Sequence, residues 1–430
     1  MAVSRPVRGC LVGIGGYGRT HLRAFADLEE EGLAKLTAVV VRNPAKYAKQ
    51  VAELEGNGVK CFTKYEDAIG ERNFDFLSLC TPLQLHRPQV IAALEAGIPV
   101  ICEKSAAPTV QDVQAMADAQ ARTGVPLDIA YPRQSSDAVR ALQQALIEGG
   151  IGKIERVVVR AGWLREERYY QRSAWAGRVK MDGLWTLDGP VNNPQAHYLY
   201  NGMYFASSEA GRIANPVRVR GELYRARPTI EGEDTACIEA EFDNGVTEYF
   251  FGTLVTSDKT YADPRIDILG DLGSFTWTRE THESPIRITR HDGRSVEFEH
   301  EGARGSTKRC IENFALLLLG ESDTLYSPIT ESLKFARVSN AAFDSSGMVH
   351  QVPEEHVDKR ESPVDEYKYV KKHNGEKTLV YELKGIIEAM TEAGDKPGLY
   401  SDIGVPWAVK TVPLDVTGYS YFPQAFEANC

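Results

Sequence analysis

The stretch Val7 to Leu22 constrains the fold more than any other part of the chain. A short apolar run leads into Gly13-x-Gly15-x-x-Gly18, and a helical pattern follows from Thr20 to Glu31. Strand, glycine turn and helix in this order are typical of a dinucleotide-binding unit. Gly13 permits the tight turn, Gly15 lets the backbone approach a pyrophosphate, and Gly18 lets the helix pack on the strand.

The phosphates of such a ligand lie at the helix N-terminus, so Gly16 and Tyr17 in the same turn are also predicted cofactor contacts. The alternative is a glycine-rich turn in some other α/β protein. The next predicted strand, Leu36 to Val41, ends in Arg42 and lacks the carboxylate that usually holds the ribose of NAD. Arg42 can face a 2′-phosphate or stack on adenine, or it is simply a solvated surface arginine. The cofactor is therefore NAD or NADP, with a slight preference for NADP.

Strands and helices then alternate, which predicts a parallel, doubly wound sheet and an α/β Rossmann domain over residues 1–131. Ligands bind beyond the carboxyl ends of such strands. The polar residues that follow these predicted ends are Thr81, Glu103, Lys104 and Tyr131.

Residues 132–360 predict a second domain of the α+β class with a large open, mostly antiparallel sheet, because alternating strands joined by hairpin turns replace the earlier pattern. Two predicted helices, 308–319 and 329–348, would return to pack on the two domains. The sequence predicts a C-terminal helix and extended arm over residues 361–430. It includes a polar linker over 362–374 and an amphipathic helix over 378–393. The exposed face of the open sheet predicts a homo-oligomer.

The segment from Trp163 to Phe205 interleaves aromatic residues with arginines. Rings beside hydrogen-bond donors suit a sugar, so Arg165 and Trp175 are candidate substrate contacts, together with Tyr131. The arginines could hold a carboxylated sugar or belong to a solvated loop, and the aromatics could simply pack in a core.

Within this segment Asn193 and Pro194 suit the N-cap and first position of a helix, which places His197 on its first turn. The helix N-terminus should lower the histidine pKa and favour the neutral imidazole that a general base requires. His197 and Asn193 are accordingly predicted catalytic and substrate-binding residues, although Asn193 could be a helix cap alone.

Several of these motifs resemble the Gfo/Idh/MocA oxidoreductases. The matching residues are His21 after the glycines, Thr81-Pro82-x-x-x-His86, and Glu103-Lys104. The resemblance implies a nicotinamide cofactor near Thr81, Pro82, His86, Glu103 and Lys104, and a second-domain sheet whose face covers the nicotinamide and binds substrate. Two positions depart from the family pattern: Ser105 stands where proline is usual, and Asn193 replaces an aspartate.

The predicted activity is oxidation of a secondary alcohol on a sugar or polyol, with hydride transfer to nicotinamide. Lys104 would hydrogen-bond the reacting oxygen, and His197 would take its proton. One alternative is a glycoside hydrolase that uses tightly bound NAD in a transient oxidation. Another is an inert nucleotide-binding sensor.

Composition excludes several other classes. The net charge of −11 over 430 residues argues against a nucleic-acid partner. Seven cysteines without metal-ligand spacing predict reduced thiols, no metal and a cytoplasmic protein. No apolar run approaches the length of a membrane span, so no membrane partner is expected.

Overall fold

A computed structural model describes residues 5–256, 262–278, 281, 284–363 and 377–428. The chain divides into two compact units, and each consists of more than one segment. The first unit contains Met1–Ala107, Gln111–Asp137 and Ala303–Leu333. The second contains Pro108–Val110, Ala138–Gly302 and Lys334–Cys430.

The first unit is built on a six-stranded parallel sheet of order β3-β2-β1-β4-β5-β6, which is the doubly wound arrangement. Its strands are β1 (Val7–Val12), β2 (Ala34–Val40), β3 (Lys60–Phe62), β4 (Phe76–Leu79), β5 (Val100–Glu103) and β6 (Leu127–Ala130). The helices between them are α1 (Gly18–Glu30), α2 (Ala48–Gly56), α3 (Tyr65–Glu71), α4 (His86–Glu95) and α5 (Val110–Thr123). The predicted Rossmann architecture is confirmed.

The strands of the second unit begin with β7 (Ile154–Gly162), β8 (Lys180–Met181), β9 (Leu184–Trp185), β10 (Pro216–Arg225), β11 (Thr235–Phe242), β12 (Thr247–Thr253) and β13 (Ala262–Gly270). They continue with β14 (Ser274–Thr278), β15 (Ile286–Thr289), β16 (Ser295–Phe298), β17 (His350–Gln351), β18 (Val357–Pro363), β19 (Lys377–Leu383) and β20 (Leu414–Asp415). The later helices of the chain are α6 (Asp137–Ile147), α7 (Glu167–Gln171), α8 (Ala196–Phe205), α9 (Thr307–Leu318), α10 (Ile329–Ser346) and α11 (Ile386–Asp395).

The main sheet of the second unit runs β14-β13-β7-β12-β11-β10-β17, and β20 pairs with β10. Most neighbours are antiparallel, while β12–β7 and β10–β17 are parallel. This confirms the predicted α+β class. The turn at residues 243–245 joins β11 to β12 as expected, and Gly245 supplies the positive φ of 85° that the hairpin requires.

Helix α9 completes the core of the first unit. Phe314 on α9 lies 5.6 Å from Phe76, which in turn stacks on Phe25 of α1 at 5.9 Å, measured between ring centroids. All three rings are buried. Residues 303–333 therefore cluster with the first unit, whereas the sequence boundaries place them in the second domain. The physical reason is the apolar face of α9, which packs on α1 across a long separation in sequence.

Both faces of the second sheet are covered over its central strands. On one face α8 packs on β7, β12 and β13, and Gly221 of β10 leaves room for the backbone of Ala342 in α10. Residue Tyr224 on the opposite face contacts Trp407, with ring centroids 4.8 Å apart. We refer to α11 together with residues 399–409 as the C-terminal cover, because these residues pack on β7, β10, β11 and β12 of the same chain.

The cover is also fixed by polar contacts. The Ser401 hydroxyl donates to Oε1 of the buried Glu222 at 2.5 Å, and the Tyr224 hydroxyl donates to its Oε2 at 2.8 Å. The Val409 amide donates to the Tyr224 hydroxyl at 3.0 Å. Residues 399–409 are thus part of the second unit rather than a separate arm.

The prediction of a helix over residues 378–393 is wrong for the first half of this range. Residues Lys377–Leu383 form β19, which pairs in register with β18, and only Ile386–Asp395 is helical. Gly385 separates the two elements with a φ of 68°, a conformation that favours glycine. The predicted linker over 362–374 lies largely outside the described residues. None of the helices described is both long and apolar enough to cross a bilayer.

Candidate active site

The glycine turn has the geometry that its sequence predicts. Gly13 has a φ of 92°, and a Cβ there would lie 2.8 Å from the carbonyl oxygen of Cys80. A Cβ at Gly18 would collide with the carbonyl oxygen of Gly13. Gly16 has a φ of 52° and open space beside it. A turn with glycine at four of its six positions, before and at the start of α1, fits the pyrophosphate of a dinucleotide.

The residues after β2 add a contact that the sequence analysis did not identify. The Tyr47 hydroxyl occupies the space that a Cβ on Gly15 would need, so this ring lies over the glycine turn. Asn43 accepts a hydrogen bond from the Lys46 amide at 3.3 Å and thereby caps the short helical turn that carries Tyr47. Arg42 is exposed, and the part of the chain that the structure describes gives it no carboxylate partner. The signal that could have identified Tyr47 is an aromatic residue one short turn after the β2 end.

A buried hydrogen-bonded triad lies behind the turn. The His21 ring is fully buried, with Nδ1 2.7 Å from the Ser78 hydroxyl and Nε2 2.8 Å from Oε1 of Glu103. Among the described residues, His21, Cys80 and Glu103 bring possible metal-ligand atoms within 4.8 Å of one another. Both ring nitrogens of His21 already have partners, which fits a triad that orients Glu103 better than a metal centre.

Hydrogen-bond contacts of one histidine join the two loops that carry the remaining predicted cofactor residues. The buried His86 places Nε2 2.9 Å from the Thr81 carbonyl oxygen and Nδ1 3.1 Å from that of Ser105. Burial lowers the pKa of His86. The Thr81 hydroxyl donates to the Gln89 side chain at 2.6 Å. His86 therefore connects the loop that begins with Thr81 and Pro82 to the loop that carries Lys104.

Two predicted ligand contacts of the first unit differ in their surroundings. Tyr131 is buried, and its hydroxyl lies 3.5 Å from that of Ser105. The Tyr17 ring is 48% exposed, while its hydroxyl lies 3.0 Å from that of Thr307 at the start of α9.

The helix that carries His197 begins later than predicted. Gln195, not Asn193, is the N-cap of α8, and the turn before it is closed by a bond from the Gln195 amide to the Pro190 carbonyl oxygen. The buried Gln195 side chain donates at 2.9 Å to the carbonyl oxygens of Ala161 and Thr253. This amide fixes the start of α8 to the ends of β7 and β12. His197 is half-buried on the first turn, as predicted.

Asn193 contacts a carboxylate instead of capping the helix. Its Nδ2 donates to Oδ1 of Asp188 at 2.6 Å, and Oδ2 of Asp188 accepts from the Gly177 amide at 2.7 Å. A carboxylate thus contacts Asn193, although it belongs to Asp188, five residues before the position where the family pattern has an aspartate.

Five of the aromatic and basic residues of the Trp163–Phe205 segment form a continuous row. The Arg172 guanidinium lies 3.7 Å from the Tyr169 ring centroid and 4.8 Å from that of Trp175. The Arg165 guanidinium lies 5.0 Å from the rings of both Trp163 and Tyr169. We call these five side chains the cation–aromatic row. They are held by ring contacts and do not form a freely solvated loop.

The row contacts α8 at one end and the loop before this helix at the other. Arg172 Nη2 lies 3.4 Å from Asp188, which holds Asn193. At the other end Trp163 contacts the Tyr198 ring edge-on at 5.8 Å. Asn193 and Tyr198 flank His197 in the sequence, so the row borders the first turn of α8.

Buried acids lie beneath the loop before α8. Glu233 is fully buried, and its Oε1 accepts from the Val191 amide at 3.3 Å. Burial, together with the nearby charges of Asp188 and Asp234, raises the pKa of Glu233 to about 8. This carboxyl is therefore mainly protonated at neutral pH.

Comparisons with known proteins agree with this geometry. Residues 7–131 match the model of an oxidoreductase family with an NAD-binding Rossmann fold, named GFO_IDH_MocA. A D-apiose dehydrogenase of Paraburkholderia graminis is 31% identical over 304 residues, which cover 63% of this chain and 72% of that protein. A D-xylose 1-dehydrogenase [NADP(+)] of Haloarcula marismortui is 24% identical over 331 residues, 75% of this chain and 86% of that protein.

Solved structures share the fold. The WlbA dehydrogenase of Bordetella pertussis, crystallised with NADH and UDP-GlcNAcA, superposes with a TM-score of 0.64 at 24% identity, covering 80% of this chain and 97% of that one. The aldose-aldose oxidoreductase of Caulobacter crescentus, complexed with glycerol, gives 0.63 at 21% identity over 80% and 98%. Taken with the glycine turn and the Glu103-Lys104 motif, these matches show that the chain belongs to the Gfo/Idh/MocA family of NAD(P)-dependent oxidoreductases.

Proposed function

We propose that this protein is a dehydrogenase that oxidises a secondary alcohol of a sugar or polyol. The observation that carries the proposal is the buried His21–Glu103 contact beside Lys104, since it orients the residue preceding the predicted catalytic lysine. The similar dehydrogenases act on D-apiose and D-xylose, which supports a carbohydrate substrate.

Each predicted residue has a defined task. A bound nicotinamide supplies the hydride acceptor. Lys104 donates a hydrogen bond to the reacting oxygen and stabilises negative charge that develops there. His197 takes the hydroxyl proton, and Asn193, held by Asp188, orients the substrate. Trp175 and Arg165 of the cation–aromatic row contact the sugar, and Tyr131 remains a predicted substrate contact of the first unit.

The adenosine end of the cofactor is held by the residues after β2. Arg42 takes a 2′-phosphate, and the Tyr47 hydroxyl lies beside the glycine turn. The absence of Asp or Glu over residues 41–50 supports a preference for NADP over NAD.

The proposal is tested by following nicotinamide absorbance with a panel of aldoses and polyols, each with NAD⁺ and NADP⁺. A dehydrogenase reduces one equivalent of cofactor for each equivalent of substrate consumed. Glycoside cleavage without net change in absorbance would instead identify a hydrolase that uses bound NAD. Failure of every substrate to change the cofactor or be cleaved would favour a nucleotide-binding sensor.

We also propose that the chain self-associates through the second sheet, at strands that the C-terminal cover does not occupy. The C-terminal cover occupies one face of β7 and β10–β12, so a second copy would need strands outside the cover, and we propose β13 and β14 at one edge of the sheet. Sedimentation velocity at several protein concentrations tests this.

A further inference from the structure

We propose that the second unit binds a sugar that carries a carboxylate, with Arg165 as the residue that holds this group. The inference rests on the proposed function and names the substrate class of the same site. It starts from a difference between arginines of one segment.

Two other arginines of the segment have acidic partners. Arg172 lies 3.4 Å from Asp188, and the exposed Arg178 forms an ion pair with Glu231. Arg165 makes a different set of contacts. Its Nη1 donates to the carbonyl oxygen of Leu164 at 3.0 Å, and no carboxylate among the described residues pairs with it. The guanidinium therefore retains an uncompensated positive charge.

The charge is half-buried and firmly placed. Trp163 and Tyr169 each lie 5.0 Å from the guanidinium carbon, and Tyr169 is also a hydrogen-bond partner of Arg165. Arg165 Nε and Trp163 Nε1 are both enclosed, and neither has a hydrogen-bond acceptor among the residues that the structure describes. Removing such donors from water is unfavourable unless an acceptor replaces the water, which points to a ligand that brings one.

The position relative to His197 suits a substrate. Trp163 contacts Tyr198, the residue that follows His197 on the first turn of α8. Contacts through Trp163 therefore connect Arg165 to the first turn of α8, as expected if one sugar contacts both Arg165 and His197.

The chemistry favours a carboxylate over other acceptors. A guanidinium presents a planar set of N–H donors that matches the two oxygens of a carboxylate, and its charge strengthens both hydrogen bonds. A neutral sugar hydroxyl would leave the charge uncompensated. The expected substrates are therefore uronic or aldonic acids instead of neutral aldoses.

The test compares matched substrates on the intact protein. D-glucuronate is paired with D-glucose and D-galacturonate with D-galactose, and D-glucose 6-phosphate is the competing anion. We expect kcat/KM to be about 10-fold or more higher for each uronate than for its neutral partner, the size of one charged hydrogen bond. Arg165→Gln should lower kcat/KM about 10- to 100-fold for the uronates and by a clearly smaller factor for the neutral sugars, because only the uronates use the charge. Arg165→Lys should recover part of the loss. The matched control is Arg178→Gln, which removes an arginine of the same segment that already has a carboxylate partner.

Three results would overturn the inference while leaving the proposed function intact. These are a preference for the neutral member of each pair, a preference for the phosphate, and an equal loss for both members in Arg165→Gln. If no sugar is oxidised, calorimetry with the two uronates in the presence of NADH separates the two proposals. Uronate binding that is lost in Arg165→Gln would support the carboxylate site although the proposed function fails, and absence of binding by the wild-type protein would overturn both.

Discussion

The glycine turn of the first unit and the cation–aromatic row of the second position their functional groups in different ways. In the turn, the deciding contacts are between backbone atoms of residues close in sequence, such as Gly13 and Gly18. In the row, they are between side chains, and the two ends contact Tyr198 of α8 and Asp188 of the loop before it, 35 and 16 residues further along the chain. A site built from backbone tolerates almost no added atom, whereas a site built from side chains can change its specificity by substitution. The predictions below test this contrast, starting with the largest expected effect.

Gly15→Val should abolish cofactor binding and leave the fold largely intact. The added side chain would cover the amide that approaches the pyrophosphate and would meet the Tyr47 hydroxyl. Tyr47 can rotate away, because the colliding atom is at the end of a side chain, so folding should tolerate the change. Calorimetry with NADH and NADPH measures affinity, and thermal unfolding measures stability. Gly56→Ala, which meets open space at the end of α2, is the control. Unchanged affinity would refute the backbone-built site.

Lys104→Ala and His197→Ala should each reduce turnover about 100-fold or more with cofactor affinity nearly unchanged. If both residues act on one hydroxyl, the double variant should be little slower than the slower single variant. Steady-state kinetics and cofactor titrations on all three variants provide the measurement. Near-normal turnover of His197→Ala across the pH range would remove histidine from the mechanism and direct attention to Tyr131 or Tyr198.

Arg42→Ala should weaken NADP binding by about 1.5–3 kcal/mol, as for a hydrogen bond to a charged group, and leave NAD binding unchanged. Arg42 belongs to the first unit, whose glycine turn is formed by backbone atoms, but its proposed role depends on a side chain. The contrast between the two sites would therefore not extend to every cofactor contact of the first unit. Arg23→Ala, an exposed arginine on α1, is the matched control. An equal loss for both cofactors in calorimetry would mean that Arg42 stacks on adenine.

Glu233→Gln should remove a pH dependence of the free energy of unfolding. Glutamine has nearly the same shape as glutamate and keeps an oxygen that can accept the hydrogen bond from the Val191 amide. The folded-state pKa of Glu233 is raised to about 8, so its contribution to stability is fully present below its ordinary pKa and is lost as the pH rises through about 8. The wild-type protein should therefore lose more urea stability than the variant between pH 5 and pH 8. Glu388→Gln, at an exposed site on α11, is the control. If the free energy of unfolding changed equally with pH in the wild type and in Glu233→Gln, the pKa of Glu233 would be the same in the folded and unfolded states, which contradicts the prediction.

The sequence predicts those parts of the molecule in which local periodicity and steric rules decide the structure. The glycine turn, the parallel doubly wound sheet and the mostly antiparallel second sheet follow from such patterns. Contacts that depend on tertiary packing are not predictable in this way. The N-cap of α8 is Gln195 and not the predicted Asn193, because the buried Gln195 amide donates hydrogen bonds to the ends of two strands. Tyr47 was missed because its contact with the turn depends on the fold of the residues after β2.

The C-terminal cover has a consequence for how the stability of this protein responds to dilution. A sheet face buried by a second copy is exposed again when the concentration falls below the dissociation constant. Here the aromatic residues Tyr224 and Phe251 are covered by residues of the same polypeptide, so the encounter is intramolecular and its effective concentration is fixed by the chain. The part of the unfolding free energy that comes from this face is therefore independent of protein concentration. Removal of residues 399–428 would expose these rings and make that part of the stability depend on association with another molecule.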